Sequence, residues 1–138
     1  MTEARTVLFL CPHAAAKSVL AAAEFERLVV ARGLAARADA AGTEPDPATN
    51  PAVVAALAAD GIDVSGHRPR RVTGDELAGA WRVVSLGCDL EGIAPADLVV
   101  ERWDDVPPVG ADLPSARAAI RARVERLVVE MAGGGRAR

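Results

Sequence analysis

The residues best suited to chemistry are a cysteine and a lysine–serine pair near the beginning of the chain. Cys11 follows an apolar run, and Lys17 and Ser18 come six and seven residues later, where a helix-forming sequence begins. Free backbone N–H groups at a helix N-terminus attract anions and favour the ionised, nucleophilic form of a thiol. The spacing therefore predicts a nucleophilic cysteine beside an anion pocket. The alternative is a small apolar side chain buried at the end of a strand.

The elements that must position this cysteine alternate between strands and helices. The apolar pattern predicts strands at residues 6–10, 35–41, 81–86 and 97–102, and helices at residues 15–32, 51–59, 73–80 and 115–131. Asn50-Pro51 predicts the cap and first turn of the second helix, Thr73 with Glu76 predicts a capping box for the third, and residues 133–138 are expected to fray. This alternation predicts a single three-layer α/β domain over residues 1–138, with helices on both faces of a four-stranded parallel sheet. Ligands of such sheets bind beyond the carboxyl ends of the strands, which is where Cys11 lies.

Composition narrows the classes of function and location. The net charge of −3 argues against general nucleic-acid binding, and we expect neither a signal peptide nor a membrane span. Two cysteines without disulfide spacing favour a reducing, cytoplasmic location, and the Ala- and Arg-rich composition suggests a bacterial source. Cys11, His13, His67 and Cys88 lack the spacing of a zinc site, so we expect no metal and no other cofactor.

Several blocks of sequence occur in the order found in one protein superfamily. They are residues 7–10 (V-L-F-L) followed by Cys11, residues 41–45 (A-G-T-E-P), residues 50–51 (N-P) and residues 61–68 (G-I-D-V-S-G-H-R). Over nearly its whole length the chain resembles the low-molecular-weight tyrosine phosphatases and arsenate reductases, with Glu44-Pro45 and Trp103-Asp104 closer to the reductases. The resemblance implies a strand order of 2-1-3-4 and a cysteine that attacks phosphorus or arsenic in a tetrahedral oxyanion.

The resemblance also identifies the anion-binding loop and its departures from the family pattern. It assigns the loop to Pro12, His13, Ala14, Ala15, Ala16, Lys17 and Ser18, with Ser18 hydrogen-bonded to the cysteine sulfur. Lys17 replaces the family's arginine and loses its planar fork of donors, and His13 replaces a glycine. Ala14 replaces an asparagine at a left-handed position, which costs alanine on the order of 1 kcal/mol. One expected response is that the first helix extends backwards to Pro12, which would leave no loop to wrap a phosphate.

The candidate general acid is Asp105. Phosphatases of this family use an aspartate immediately before a proline, whereas here Val106 precedes Pro107. Asp105 therefore fits the role only if the loop shifts. The alternative is an ordinary solvated carboxylate.

Cys88 is the candidate redox partner. It follows the third strand, which neighbours the first in the order that the resemblance implies. Thioredoxin-linked arsenate reductases normally carry two redox cysteines in this segment, and this chain has one. Three interpretations are therefore compatible with the sequence: a Cys11–Cys88 disulfide, a relay through an external thiol reductant, and an inert packed Cys88.

Two classes of function follow from the resemblance. In the first, Cys11 attacks a phosphoester, including a phosphoprotein, or arsenate, while Lys17 and backbone N–H groups stabilise the oxyanion and Asp105 or water supplies a proton. Loss of the arginine fork and of the acid should each cost about a hundredfold, so we expect weak or altered hydrolase or oxidoreductase activity. In the second class, the protein is a catalytically inactive relative that binds an anion or a partner protein.

Overall fold

A parallel four-stranded sheet lies at the centre of the computed structural model, which describes residues 5–95 and 97–133. The strands are β1 (Arg5–Leu10), β2 (Ala36–Ala41), β3 (Arg82–Ser85) and β4 (Glu101–Arg102). The helices are α1 (Lys17–Ala31), α2 (Pro51–Ala59), α3 (Gly74–Gly79) and α4 (Leu113–Gly133). The strand order is β2-β1-β3-β4 with parallel pairing throughout, which confirms the predicted α/β class and order.

Side chains of β1 alternate between the two faces of the sheet, and both faces are covered. Val7 and Phe9 pack in one apolar cluster with residues of α1, α2 and α4. Leu8 and Leu10 pack in a second cluster with Leu77 of α3. A strand buried on both faces reads as a continuous apolar run, which is the pattern that residues 6–10 carry. The three-layer prediction is therefore confirmed.

The ends of the helices follow the predicted capping chemistry except in α4. The Asn50 side chain accepts hydrogen bonds from the first turn of α2, and Thr73 and Glu76 form the capping box of α3. At α4, Asp112 accepts hydrogen bonds from the Ser115 amide (3.0 Å) and hydroxyl (2.7 Å), so the helix begins two residues before the predicted Ser115. Fraying was expected from residue 133 onward, but α4 includes Gly133, and residues 134–138 lie outside the described residues.

The fourth strand is shorter than predicted. Residues 97–102 were expected to form it, but only Glu101 and Arg102 pair with β3, opposite Val84 and Ser85. The Leu98 amide donates to the Pro95 carbonyl at 3.1 Å and not to a neighbouring strand. No helix within residues 5–95 and 97–133 is long and apolar enough to cross a membrane.

A buried carboxylate joins α1 to α4. Glu24 of α1 is fully buried and accepts hydrogen bonds from Arg117 (2.9 Å) and Arg121 (3.0 Å) of α4 and from Arg27 (2.9 Å) of its own helix. Burial by itself would raise the pKa of this carboxyl, but the hydrogen bonds from the three arginines outweigh it and lower the pKa to about 2 from 4.5. The negative charge of Glu24 is therefore part of the folded state.

Glu24→Gln is expected to lower the free energy of unfolding by on the order of 3 kcal/mol at pH 7, since three guanidinium groups lose their counter-charge. The pKa of Glu24 is depressed in the folded state, so its contribution is complete above pH 4.5 and is lost as the pH falls towards 2. Urea unfolding of both proteins at several pH values measures this. The exposed Glu91→Gln serves as the control, and a difference that stayed constant down to pH 2 would contradict the assignment.

Candidate active site

The segment between β1 and α1 is a loop and not a helical extension. Helix α1 begins at Lys17 instead of the predicted Ala15, and Ala14 has a left-handed backbone with φ of 55°. The expected backward extension of α1 to Pro12 is therefore wrong. Ala14 keeps the left-handed conformation in spite of a cost on the order of 1 kcal/mol.

Hydrogen bonds to the loop carbonyls explain why this conformation persists. Four consecutive carbonyl oxygens accept from groups remote in sequence: Pro12 from the Glu44 amide (2.7 Å), His13 from the Asp46 amide (3.0 Å), Ala14 from His67 Nε2 (3.0 Å) and Ala15 from the Asn50 amide (2.9 Å). Each bond contributes about 1 kcal/mol net, so together they outweigh the strain at Ala14. The ring of His67 therefore helps to hold the cysteine loop in place.

The amides of this loop differ from its carbonyls, which are bonded to residues remote in sequence. Within residues 5–95 and 97–133, no acceptor is bonded to the amides of His13, Ala15, Ala16 and Lys17. Successive free N–H groups at a turn and a helix N-terminus form a concave site for an anion. The loop thus has its carbonyls tied to the scaffold and its amides available to a ligand.

Cys11 lies at the base of this loop. Its thiol donates to Ser18 Oγ at 3.0 Å, and the Ser18 amide donates to its sulfur at 3.4 Å. Because a hydroxyl both donates and accepts, Ser18 can also donate to the sulfur in its ionised form. The Cys11 side chain is 5% exposed and lines a cavity, so the sulfur is recessed without being sealed off.

The cavity has a volume of about 810 Å³, much larger than an inorganic oxyanion. Its lining residues come from the loops after β1, β2 and β3 and from the segment before α4: Cys11, Pro12, His13, Ala15, Ala16, Lys17, Asp46, Pro47, Ala48, Thr49, Asn50, Pro51, Leu86, Gly87, Pro108, Val109 and Gly110. Residues 46–51 form one wall of the cavity and were not predicted as site residues. The signal was available, since loops at the carboxyl ends of adjacent parallel strands meet at one edge.

Gly42 is also important for the site and was not predicted as a site residue. It follows β2 and lies opposite the cysteine loop, because Leu10 pairs with Ala41 in the register of the sheet. A Cβ atom at this position would lie 2.6 Å from the Pro12 carbonyl oxygen and closer still to that of Cys11. The loop therefore packs against bare backbone, and only glycine fits without displacing it.

Lys17 lines the cavity, but its amino group is already engaged. Lys17 Nζ donates to the Val106 carbonyl at 2.9 Å, which ties the loop before α4 to the first turn of α1. The expected direct role at an oxyanion therefore requires one of its other two protons or a change of partner. Lys17 is also the single lysine in an arginine-rich chain, a signal that the position differs from the other basic sites.

The structure does not bring Asp105 to the cavity. Its carboxylate is paired with Arg123 of α4, and its side chain is 72% exposed. From the same loop it is Pro108, Val109 and Gly110 that line the cavity. The ion pair with Arg123 fixes the carboxylate away from Cys11, so the expected general-acid role is not supported by its position.

The structure places Cys88 in the apolar core, as the interpretation of an inert packed cysteine predicts. It is 1% exposed, belongs to the cluster of Leu8 and Leu10, and does not line the cavity. Burial raises the pKa of the Cys88 thiol, against a smaller opposing effect of the Thr43 hydroxyl at 3.8 Å. Both cysteines are free thiols.

The two histidines hydrogen-bond to backbone carbonyls. His13 Nδ1 bonds to the Glu44 carbonyl at 3.0 Å, and His67 Nε2 bonds to that of Ala14. In the described part of the chain, no group of three or more His, Cys, Asp or Glu side chains is placed to hold a metal ion.

Comparison with known proteins finds relatives of this chain in sequence and in fold. The profile of the low molecular weight phosphotyrosine protein phosphatase family matches residues 6–100. A Halobacterium salinarum protein provisionally named an arsenate reductase is 29% identical over 125 residues, which are 89% of this chain and 87% of that protein. The structure of an arsenate reductase from Archaeoglobus fulgidus is 31% identical, with a TM-score of 0.72 over 88% of this chain and 98% of that one.

A low molecular weight phosphotyrosine phosphatase from Vibrio cholerae is similar in fold alone, with 17% identity. Its TM-score is 0.81 over 95% of this chain and 99% of that one. The family profile spans nearly all of β1, the whole of β2 and β3, the cysteine loop and three of the four cavity-lining segments. The chain therefore belongs to the low molecular weight phosphotyrosine protein phosphatase family.

Proposed function

We propose that the protein binds a tetrahedral oxyanion, a phosphoester or arsenate, in the loop of residues 11–18 and attacks it with the sulfur of Cys11. The observation that supports the proposal is the difference between the carbonyls and the amides of this loop. Four of its carbonyls accept hydrogen bonds from residues 44, 46, 50 and 67. Four of its amides, close to that sulfur, have no acceptor among the described residues. Such fixed donors stabilise the negative charge of a transition state without reorganisation.

The chemistry runs through a covalent intermediate on Cys11. The thiolate forms a bond to phosphorus or arsenic as the opposite oxygen leaves with a proton. For a phosphoester, water then breaks the S–P bond. For arsenate, an external thiol attacks the Cys11 sulfur, the S–As bond breaks with its electron pair kept by arsenic, and arsenite leaves. A second thiol equivalent reduces the mixed disulfide. The burial of Cys88 favours an external thiol over an internal relay.

We expect this activity to be weak. Lys17 replaces a forked guanidinium and is bonded to Val106, and Asp105 is held by Arg123 outside the cavity. Each loss should reduce the rate by about a hundredfold relative to a complete site. The same two observations favour the second candidate function, a binding module that retains the anion loop without efficient turnover.

Hydrolysis of p-nitrophenyl phosphate and reduction of arsenate by dithiothreitol test the proposal. Lys17→Arg is expected to raise kcat/KM for p-nitrophenyl phosphate by about tenfold, since a guanidinium can give two parallel hydrogen bonds to the anion. Lys17→Met is the matched control for charge, and its rate should fall below that of the wild type. Turnover of neither substrate, together with measurable binding of inorganic phosphate by calorimetry, would leave only the binding module.

A further inference from the structure

His13 is an ionisable side chain of the cavity whose geometry the proposed function does not use. Its Nδ1 lies 3.0 Å from the Glu44 carbonyl oxygen, which can only accept, so Nδ1 carries a hydrogen. The other ring nitrogen, Nε2, has no partner among residues 5–95 and 97–133. His13 is two residues from Cys11 in sequence and lines the same cavity. Nε2 is therefore free to exchange a proton with a ligand there.

Asp46 supports this histidine from the neighbouring loop. Its Oδ1 lies 3.4 Å from His13 Nδ1, and its amide donates to the His13 carbonyl at 3.0 Å. The carboxylate thus lies on the side of the ring opposite to Nε2. A carboxylate in this position orients an imidazole.

We propose that His13 is the proton donor to the leaving group and that Asp46 is its positioning residue. This inference rests on the proposed function. As the Cys11 sulfur bonds to phosphorus, the P–O bond breaks and the proton of Nε2 passes to the departing oxygen. In the second step neutral Nε2 takes a proton from water, the water oxygen bonds to phosphorus, and the S–P bond breaks to restore the thiolate.

Among the residues that the structure describes, the other titratable side chains that line the cavity are Cys11, Lys17 and Asp46, and the segments at residues 86–87 and 108–110 contribute none. Lys17 donates to Val106, and Asp46 faces Nδ1 of the histidine. His13 thus fills the role that the ion pair with Arg123 denies to Asp105.

Two esters with different leaving groups test the assignment. p-Nitrophenolate leaves readily without a proton, whereas the phenolate of phenyl phosphate leaves poorly. His13→Asn keeps an amide that can donate to Glu44 but cannot transfer a proton. It is expected to lower kcat/KM about a hundredfold for phenyl phosphate and less than about tenfold for p-nitrophenyl phosphate. Asp46→Asn should give a smaller loss with the same selectivity, and Asp105→Asn should leave the ratio of the two rates unchanged.

The pH profile provides an independent readout. For phenyl phosphate the wild-type pH profile should contain a limb that requires a proton donor, and His13→Asn should lack this limb. Equal losses on both esters, or a selective loss in Asp105→Asn, would overturn the assignment while the proposed function stood. A wild-type protein that hydrolysed neither ester would overturn both.

Discussion

Cys11→Ser is expected to lower turnover of p-nitrophenyl phosphate and of arsenate by about a thousandfold or more. A serine hydroxyl is a much weaker nucleophile than a cysteine sulfur unless a neighbouring base activates it. The amides of the loop belong to the backbone and are unchanged, so inorganic phosphate should bind within about threefold of its wild-type affinity. Loss of turnover with retained binding is therefore the specific signature of a nucleophile.

Steady-state rates and calorimetric titration with phosphate measure the two quantities. Cys88→Ala is the matched control, because Cys88 is the other thiol of the chain and does not line the cavity. It should leave hydrolysis of p-nitrophenyl phosphate within about threefold of the wild type. More than a tenth of the wild-type rate in Cys11→Ser would contradict the nucleophile, and selective loss of arsenate reduction in Cys88→Ala would restore the internal relay.

Gly42→Ala is expected to lower turnover by about a hundredfold with little change in secondary structure. The added methyl group would overlap the carbonyl oxygens of Cys11 and Pro12, so the loop must move by roughly 1 Å, a displacement that can cost this much in rate. Because the contact is with backbone, no rotamer change relieves it. Overpacking should also lower the free energy of unfolding by about 1–3 kcal/mol.

Gly79→Ala provides the comparison for this variant. A Cβ atom at Gly79 would have nothing within 4 Å, so the same chemical change there should leave turnover unaffected. Rates and urea unfolding of the two variants separate a local clash from a general effect of replacing glycine. Wild-type turnover in Gly42→Ala would mean that the loop accommodates the methyl group and that its placement does not depend on bare backbone.

The fold was predictable because its signals are local. The apolar run of β1, the Asn50-Pro51 cap and the Thr73–Glu76 capping box each lie within a few residues and each formed as predicted. The weakest prediction was β4, because of the predicted residues 97–102 only Glu101 and Arg102 pair with β3. Pairing of an edge strand depends on its neighbour, and only two residues of β3, Val84 and Ser85, pair with β4.

The chemistry of the site was only partly predictable. Ser18 is hydrogen-bonded to the Cys11 sulfur as the family resemblance implied, and the two residues are only seven apart in sequence. The partners of Lys17, Asp105 and His13 are 89, 18 and 31 residues away from them in sequence. No periodicity or spacing encodes such contacts.

The sequence by itself determined the α/β class, the family and the position of Cys11 at the carboxyl end of a buried strand. Alternation of apolar runs with helix signals leaves few topologies, and a cysteine at that point must face the edge where loops meet. Tertiary structure alone decided that Ala14 stays left-handed, since distant donors hold the neighbouring carbonyls, and that Asp105 pairs with Arg123. Strain and proton donors depend on which surfaces pack together, and packing is set by the whole chain and not by a motif.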